Sequence, residues 1–341
     1  MRIAIDAMGG DRAPRINVRG AVEAAKRWPG HEVVLVGDQD KLRAELKATP
    51  GNDCSAISIE HASQVVEMGE SPVATLRRKR DSSILRAVKL VKENKADALV
   101  SAGDTGAAMA ACVMYLTRLP GIQKPGIAVP FPTQDSRPCL LIDVGANPYC
   151  KPQHLFQYGV MASVYSRRIL GVDQPRVGLL NIGEEAVKGT ALTRETQRLF
   201  ESSGLNYKGS VEGRDIFNGR CDVVVCDGFV GNVVLKTSEG LAEILISMVK
   251  GAIGKNWRRK LGAALCKDAF ADLKHSTDYS EYGGAPLLGV DGICIICHGS
   301  SNSHAIANAI GVAIEHARYE VNEEIVSEVK AATEACSLSS G

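Results

Sequence analysis

Aromatic residues are scarce in this chain, 5% of 341 residues, whereas glycine numbers 34. Burial therefore has to come from aliphatic side chains, with glycine-rich turns between them. Net charge is almost absent at +1, so no global basic field recruits nucleic acid, and an anionic partner must be met by a local patch. No uninterrupted apolar run approaches the roughly 18 residues of a membrane span. The first residues, Met1-Arg2-Ile3-Ala4-Ile5-Asp6, already carry a strand pattern rather than a leader. A cytoplasmic protein is expected.

Familiar chemical motifs are missing too. There is no Gly-x-x-x-x-Gly-Lys-Ser/Thr, and no Gly-x-Gly-x-x-Gly follows the first strand or residues 33–36. Nucleotide and dinucleotide enzymes thereby lose their best evidence. No Gly-x-Ser-x-Gly elbow or serine triad stands out. The seven histidines are scattered, without paired histidines or a carboxylate cluster, so neither a metal nor a cofactor is expected. Ten cysteines in a large chain lack a small-domain framework and read as free thiols. Cys294-Ile295-Ile296-Cys297-His298 matches the haem-attachment pattern, but the apolar run from Ile293 to Cys297, ending in His298-Gly299-Ser300-Ser301, is that of a buried strand feeding a loop.

Short aliphatic runs alternate with segments of helical period. Strands are expected at 2–6, 32–36, 98–101, 126–129, 139–143, 176–181, 223–226 and 292–297. Most are unbroken runs, as strands covered on both faces require. Val18, Ala21, Val22, Ala25 and Trp28 mark one helix, and Ile84, Leu85, Val88 and Val91 another behind a cap-like Ser82-Ser83. Further helices fall at 155–170, 191–203, 232–249, 303–316 and from Glu320 onward. The pattern predicts an α/β sandwich around a mostly parallel sheet. Residues 1–336 read as one catalytic domain, with a basic, amphipathic helical excursion at about 240–275 and a frayed tail at 337–341.

In such sheets ligands bind beyond the carboxyl ends of strands. Four junctions there are rich in glycine and small polar residues: Asp6-Ala7-Met8-Gly9-Gly10-Asp11, Ser101-Ala102-Gly103-Asp104-Thr105-Gly106, Asp143-Val144-Gly145-Ala146-Asn147, and His298-Gly299-Ser300-Ser301-Asn302. Glycine permits close backbone approach, and a following helix offers unpaired N–H groups to an anion. Asp6, Gly9, Gly10, Asp11, Gly103, Asp104, Thr105, Gly106, Asn147, Ser300 and Ser301 are thus candidates for a phosphate-type or thioester-type site. Two more polar segments follow strands: Asn181-Ile182-Gly183-Glu184-Glu185-Ala186-Val187-Lys188-Gly189 and Cys226-Asp227-Gly228-Phe229-Val230-Gly231-Asn232. Lys188 reads equally as a solvated loop lysine, and Asn232 as a helix N-cap.

The first-strand, 101–106, 181–185, 227–232 and 298–301 motifs, in that order over nearly the whole chain, resemble the bacterial phosphate acyltransferases called PlsX. The resemblance implies a Rossmann-like fold similar to isocitrate dehydrogenases and phosphotransacetylases, and a homodimer. It implies transfer of a long-chain fatty acyl group from acyl carrier protein to inorganic phosphate, with the acyl phosphate passing to a downstream glycerol-3-phosphate acyltransferase in phospholipid synthesis. It also implies peripheral association with an anionic membrane. Lys188 and Asn232 become the catalytic candidates on that basis, with Gly231 beside them in the substrate loops.

Much of the phosphate is dianionic near neutral pH, since phosphate-type groups have a second pKa near 6, so direct attack on a thioester needs no serine or cysteine nucleophile. A lysine would hold the phosphate and Asn232 would donate to the oxyanion. His298 is a candidate to protonate the departing sulfur, or simply orders its loop. An acidic carrier protein requires a basic docking surface: Arg77, Arg78 and Lys79, followed by Arg80, form the densest run, and Arg258 with Arg259 the alternative. Trp257, Leu261, Leu265 and Phe270 among basic residues suit a helix lying in an anionic interface. A coenzyme A-dependent phosphotransacetylase is the rival enzyme, and a membrane-bound scaffold of lipid synthesis the non-enzymatic alternative.

Overall fold

The protein is described here from a computed structural model, which describes every residue except 52–53, 136, 186–187, 271–281 and 339–341. Among the described residues, eleven strands form one sheet in the order β3-β2-β1-β4-β11-β10-β5-β6-β9-β7-β8. They are β1 (Arg2–Asp6), β2 (Glu32–Gly37), β3 (Ile57–His61), β4 (Ala98–Ser101), β5 (Gly126–Phe131), β6 (Cys139–Ile142), β7 (Val177–Leu180), β8 (Tyr207–Val211), β9 (Val223–Val225), β10 (Ala285–Leu288) and β11 (Ile293–Ile296). Two parallel blocks flank a short antiparallel middle: β10 pairs antiparallel with β11 and with β5, and β5 antiparallel with β6. Three reversals separate the blocks, so their strands run in opposite directions. The expected mostly parallel sheet is present, and its centre is where it departs from that pattern.

The continuous apolar runs follow from burial on both faces. Over the first block, α1 (Arg15–Arg27) and α10 (Ser303–Arg318) cover one face with Ile3, Ile5, Val33 and Leu35 beneath them. Helices α4 (Ser83–Lys92) and α5 (Thr105–Tyr115) cover the other, over Ala4, Val34 and Leu99. In the second block α6 (Pro152–Arg168), α7 (Ala191–Glu201) and α11 (Val321–Leu338) bury Leu140, Ile142, Val223 and Val225. The remaining helices are α2 (Gln39–Ala48), α3 (Pro72–Arg78), α8 (Gly228–Gly254) and α9 (Trp257–Leu265).

Two expectations need correcting. Ser82 occupies the N-cap position of α4 but makes no side-chain capping bond. Asn232 does not cap α8; Asp227 does, accepting from the N–H groups of Phe229 and Val230 at 3.0 Å each, because a carboxylate one residue before the first turn reaches those donors. Helix α11 is described through Leu338, and the rest of the expected tail lies outside the described residues.

Helix α8 spans 27 residues, about 40 Å at 1.5 Å per residue. Only Gly228 and Gly231 are buried, so most of the helix projects from the sheet. Leu241, Ile244, Leu245 and Met248 on it are exposed, as are Trp257, Leu261, Leu265 and Phe270 beyond. Leu273 and Lys274 of the expected excursion lie outside the described residues. No helix among the described residues is long and apolar enough to cross a membrane.

Strands β7 and β9 are locked at their start by Asp222, whose carboxylate accepts from the backbone N–H of Arg176 at 2.8 Å and from its guanidinium at 2.8 and 2.9 Å. Burial alone would raise its pKa, but the Arg176 side-chain and backbone donors outweigh that and hold it below the usual value. A lowered folded-state pKa contributes stability above the unfolded value, lost as pH falls. Asp222→Asn is therefore expected to cost about 1–3 kcal/mol in denaturant unfolding at pH 7. The difference from the unsubstituted protein should shrink below about pH 4, where that protein's own carboxyl protonates.

Candidate active site

The first-strand loop is built on a buried carboxylate. Asp6 ends β1, is 3% exposed and accepts from the Ser101 hydroxyl at 2.9 Å. Burial raises its pKa against hydrogen bonds from Ser83, Ser101 and the backbone of Met8 and Gly9. A Cβ on Gly9 would lie 2.6 Å from Asp6 Oδ2 and 2.7 Å from the Gly103 nitrogen, so only glycine lets the two loops touch. Asn17 in α1 closes the turn, donating to the carbonyls of Ala7 and Gly9 at 2.9 Å. The last loop is tied to the first: Asp11 N–H donates to the Gly299 carbonyl at 2.9 Å, and Arg12 to those of Ser300 and Ser301 at 3.0 Å.

In the second block Asp143 organises the turn after β6. Its side chain is fully buried and accepts from the backbone N–H groups of Ile127, Gly145, Ala146 and Asn147 at 2.8–3.2 Å. Burial nevertheless raises its pKa. Asn147 is committed to the same scaffold, donating to the Pro125 carbonyl at 2.6 Å and to the Tyr158 hydroxyl at 2.9 Å. Helix α8 arrives against this turn without side chains between. A Cβ on Gly231 would sit 1.9 Å from the Asp143 carbonyl oxygen, and the next residue, Asn232, is thereby brought beside Gly145.

A cavity of about 340 Å³ lies between α5, α8 and the central strands. Met109, Ile127, Val129, Leu235 and Ile296 give it apolar walls, while Thr105, Asn232, Lys236, Glu239 and His298 supply polar groups. Thr105 and Gly106 open α5, where Asp104 caps the Ala107 N–H at 2.8 Å, leaving the first two helical N–H groups without intrahelical acceptors. His298 Nδ1 accepts from the Ser300 N–H at 3.2 Å and lies 2.7 Å from its hydroxyl. Cys297 also lines the cavity, and burial pushes its thiol up to about 12, so it is protonated and a poor nucleophile near neutral pH.

The sequence candidates divide accordingly. Thr105, Gly106, Asn232 and His298 line the cavity together. Asp6, Gly9, Gly103 and Asp104 surround a small adjoining space of about 10 Å³. Gly10, Asp11, Asn147, Gly231, Ser300 and Ser301 build or brace the loops. Lys188 does not line the cavity; its ammonium pairs with Glu185 at 2.8 Å. Sequence reading passed over Lys236 and Glu239, although both recur at helical spacing from Asn232. In the basic run, Arg78 and Lys79 are already paired with Glu70 at 3.1 and 2.7 Å, and Arg80 Nε donates to the Arg77 carbonyl.

A family model described as fatty acid synthesis protein matches residues 1–324. The phosphate acyltransferase of Geotalea daltonii is 51% identical over 330 residues, covering 97% of this chain and 94% of that protein. That of Geobacter sulfurreducens is 51% identical over 332 residues, with the same coverage. The chain belongs to the phosphate acyltransferase family. Its membership makes it an enzyme, an acyltransferase of fatty-acid and lipid synthesis. The fold is similar to that of a phosphotransacetylase from Streptococcus pyogenes, with a TM-score of 0.66 at 16% identity over 93% of this chain and 94% of that one. The EutD phosphotransacetylase from Staphylococcus aureus follows at 0.59 and 14%, with the same coverage.

A buried thiol whose pKa is raised is a poor nucleophile, so Cys297→Ala is expected to keep turnover within an order of magnitude. A loss of about 1,000-fold or more in a folded variant, the scale of removing a nucleophile, would make the thiol catalytic.

Proposed function

We propose that this chain transfers a long-chain fatty acyl group from acyl carrier protein to inorganic phosphate, releasing acyl phosphate for phospholipid synthesis. The observation that carries the reading is a largely apolar cavity in which Thr105, Asn232 and Lys236 supply donors, with a thiol too basic to serve as nucleophile. A phosphate oxygen attacks the thioester carbon and forms the new C–O bond. The C–S bond then breaks, and sulfur leaves with the electron pair as a thiolate. Asn232 donates to the carbonyl oxygen as it becomes an oxyanion. The His298 ring lines the cavity where the sulfur would depart and in its imidazolium form would protonate the thiolate. Lys188, on the loop after β7, would enter from outside the cavity after releasing Glu185.

The exposed apolar flank of α8 fits packing against a second copy of the chain. Trp257, Leu261, Leu265 and Phe270, interleaved with Arg258, Arg259 and Lys260, fit an anionic membrane surface. Arg258 and Arg259 carry the carrier-protein reading better than Arg77 to Lys79, because Glu70 already occupies two cations of that run.

Incubating the protein with palmitoyl-acyl carrier protein, with and without phosphate, tests the reaction. Phosphate-dependent acyl phosphate with equimolar free carrier protein is expected. No product, with the coenzyme A thioester also inert, would favour the scaffold alternative, whereas product from the coenzyme A thioester alone would move the assignment to a phosphotransacetylase. Asn232→Ala and Lys188→Ala should each lower turnover about 100- to 1,000-fold while folding normally; near-normal rates in both would remove these residues from the mechanism.

A further inference from the structure

Phosphate entering the cavity meets a charge problem. It carries more than one negative charge near neutral pH, and desolvating that charge against Met109, Ile127, Val129 and Leu235 without a counter-charge is costly. Lys188 is turned to Glu185 outside these walls. Among the described residues, Lys236 is the sole lysine or arginine lining the cavity. It lies four residues after Asn232 on α8, so the two side chains rise from one helix face a single turn apart. Glu239 follows three residues later, also in the cavity wall, and holds the Lys236 ammonium at 2.8 Å. The carboxylate side chain is 22% exposed and the lysine 55%, so the lysine has the room to move. The opposite wall offers the opening N–H groups of α5 at Thr105 and Gly106, a second attraction for an anion.

We propose that Lys236 is the phosphate-binding cation of this site, and that Glu239 is a positioning residue holding its ammonium over the cavity until phosphate enters. The proposal rests on the phosphate-transfer reading above and adds to it the residue that meets the nucleophile. Asn232 and Lys236 then act as a pair set by helical geometry, one donor for the developing oxyanion and one charge for the attacking group.

The test uses the full chain carrying Lys236→Met, Lys236→Arg or Glu239→Gln. Acyl-phosphate formation is followed against inorganic phosphate at saturating palmitoyl-acyl carrier protein, and against the carrier at saturating phosphate. Lys236→Met should raise the KM for phosphate about 10- to 100-fold, the scale of one lost charge-assisted hydrogen bond, and leave the KM for the carrier unchanged. Lys236→Arg should recover most of the loss, and Glu239→Gln should lower the phosphate KM by freeing the ammonium. Inorganic phosphate should also raise the thermal midpoint of the unsubstituted protein and of Glu239→Gln, but not of Lys236→Met. An unchanged phosphate KM in folded Lys236→Met would overturn the proposal. So would an effect confined to the carrier KM, which would assign the ammonium to the phosphate of the carrier's prosthetic arm. Absence of acyl phosphate from the unsubstituted protein would instead overturn the phosphate-transfer reading, and this proposal with it.

Discussion

The cavity depends on one buried carboxylate, that of Asp143. Without a side chain gathering the N–H groups of residues 145–147 and of Ile127, the turn after β6 would leave buried donors unpaired, each at a cost of about 1–3 kcal/mol. With it, the turn presents its backbone to α8 as a fixed surface. Gly228 and Gly231 let that helix dock backbone to backbone: added Cβ atoms would lie 2.8 Å from Asn147 and 1.9 Å from Asp143. The close dock sets the rotation of α8, and rotation decides which residues face the cavity. Asn232, Lys236 and Glu239 are therefore placed by a carboxylate that lines no part of the cavity itself.

Opposed strand directions explain why two distant loop systems serve one site. The three antiparallel pairings at the sheet centre reverse the second block, so α5 and α8 leave opposite edges and approach the central strands from either side. Each contributes a different resource. The start of α5 brings unpaired N–H groups, and α8 brings side chains of both charges. The apolar walls between them sharpen every polar interaction by excluding water. Chemistry by direct attack suits such a place, because phosphate supplies its own nucleophilic oxygen and the protein has only to position and neutralise charge.

Much of the fold was legible because strands buried on both faces write continuous apolar runs. β1 and β4 were bounded to the residue, and six other expected strands to within two. The strands passed over are those whose sequences break the pattern. β3 ends in Glu60-His61 on an edge, β8 reads Tyr-Lys-Gly-Ser-Val on the opposite edge, and β10 is four residues with Pro286 inside. Helix α5, nearly uniform in Ala, Met and Val, has no amphipathic stripe to reveal it. At the candidate site, the glycine-rich junctions include residues that line the cavity, such as Thr105, Gly106 and His298, but their sequences do not show the division of labour among the loops. Asn147 and Asp11 have the chemistry of ligand-binding residues, yet one braces its own turn and the other ties the first loop to the last. Taking Asn232 for the start of a helix hid the register that makes Lys236 and Glu239 its neighbours.

Direct attack within a single ternary complex is the centre of this account, and isotope exchange examines it without reference to any one residue. Enzyme, palmitoyl-acyl carrier protein and labelled free carrier protein would be mixed with phosphate rigorously removed, and label sought in the acylated carrier. Direct attack predicts no exchange until phosphate is restored, since no acyl group leaves its thioester without it. Exchange in the absence of phosphate would require an acyl-enzyme and contradict the mechanism.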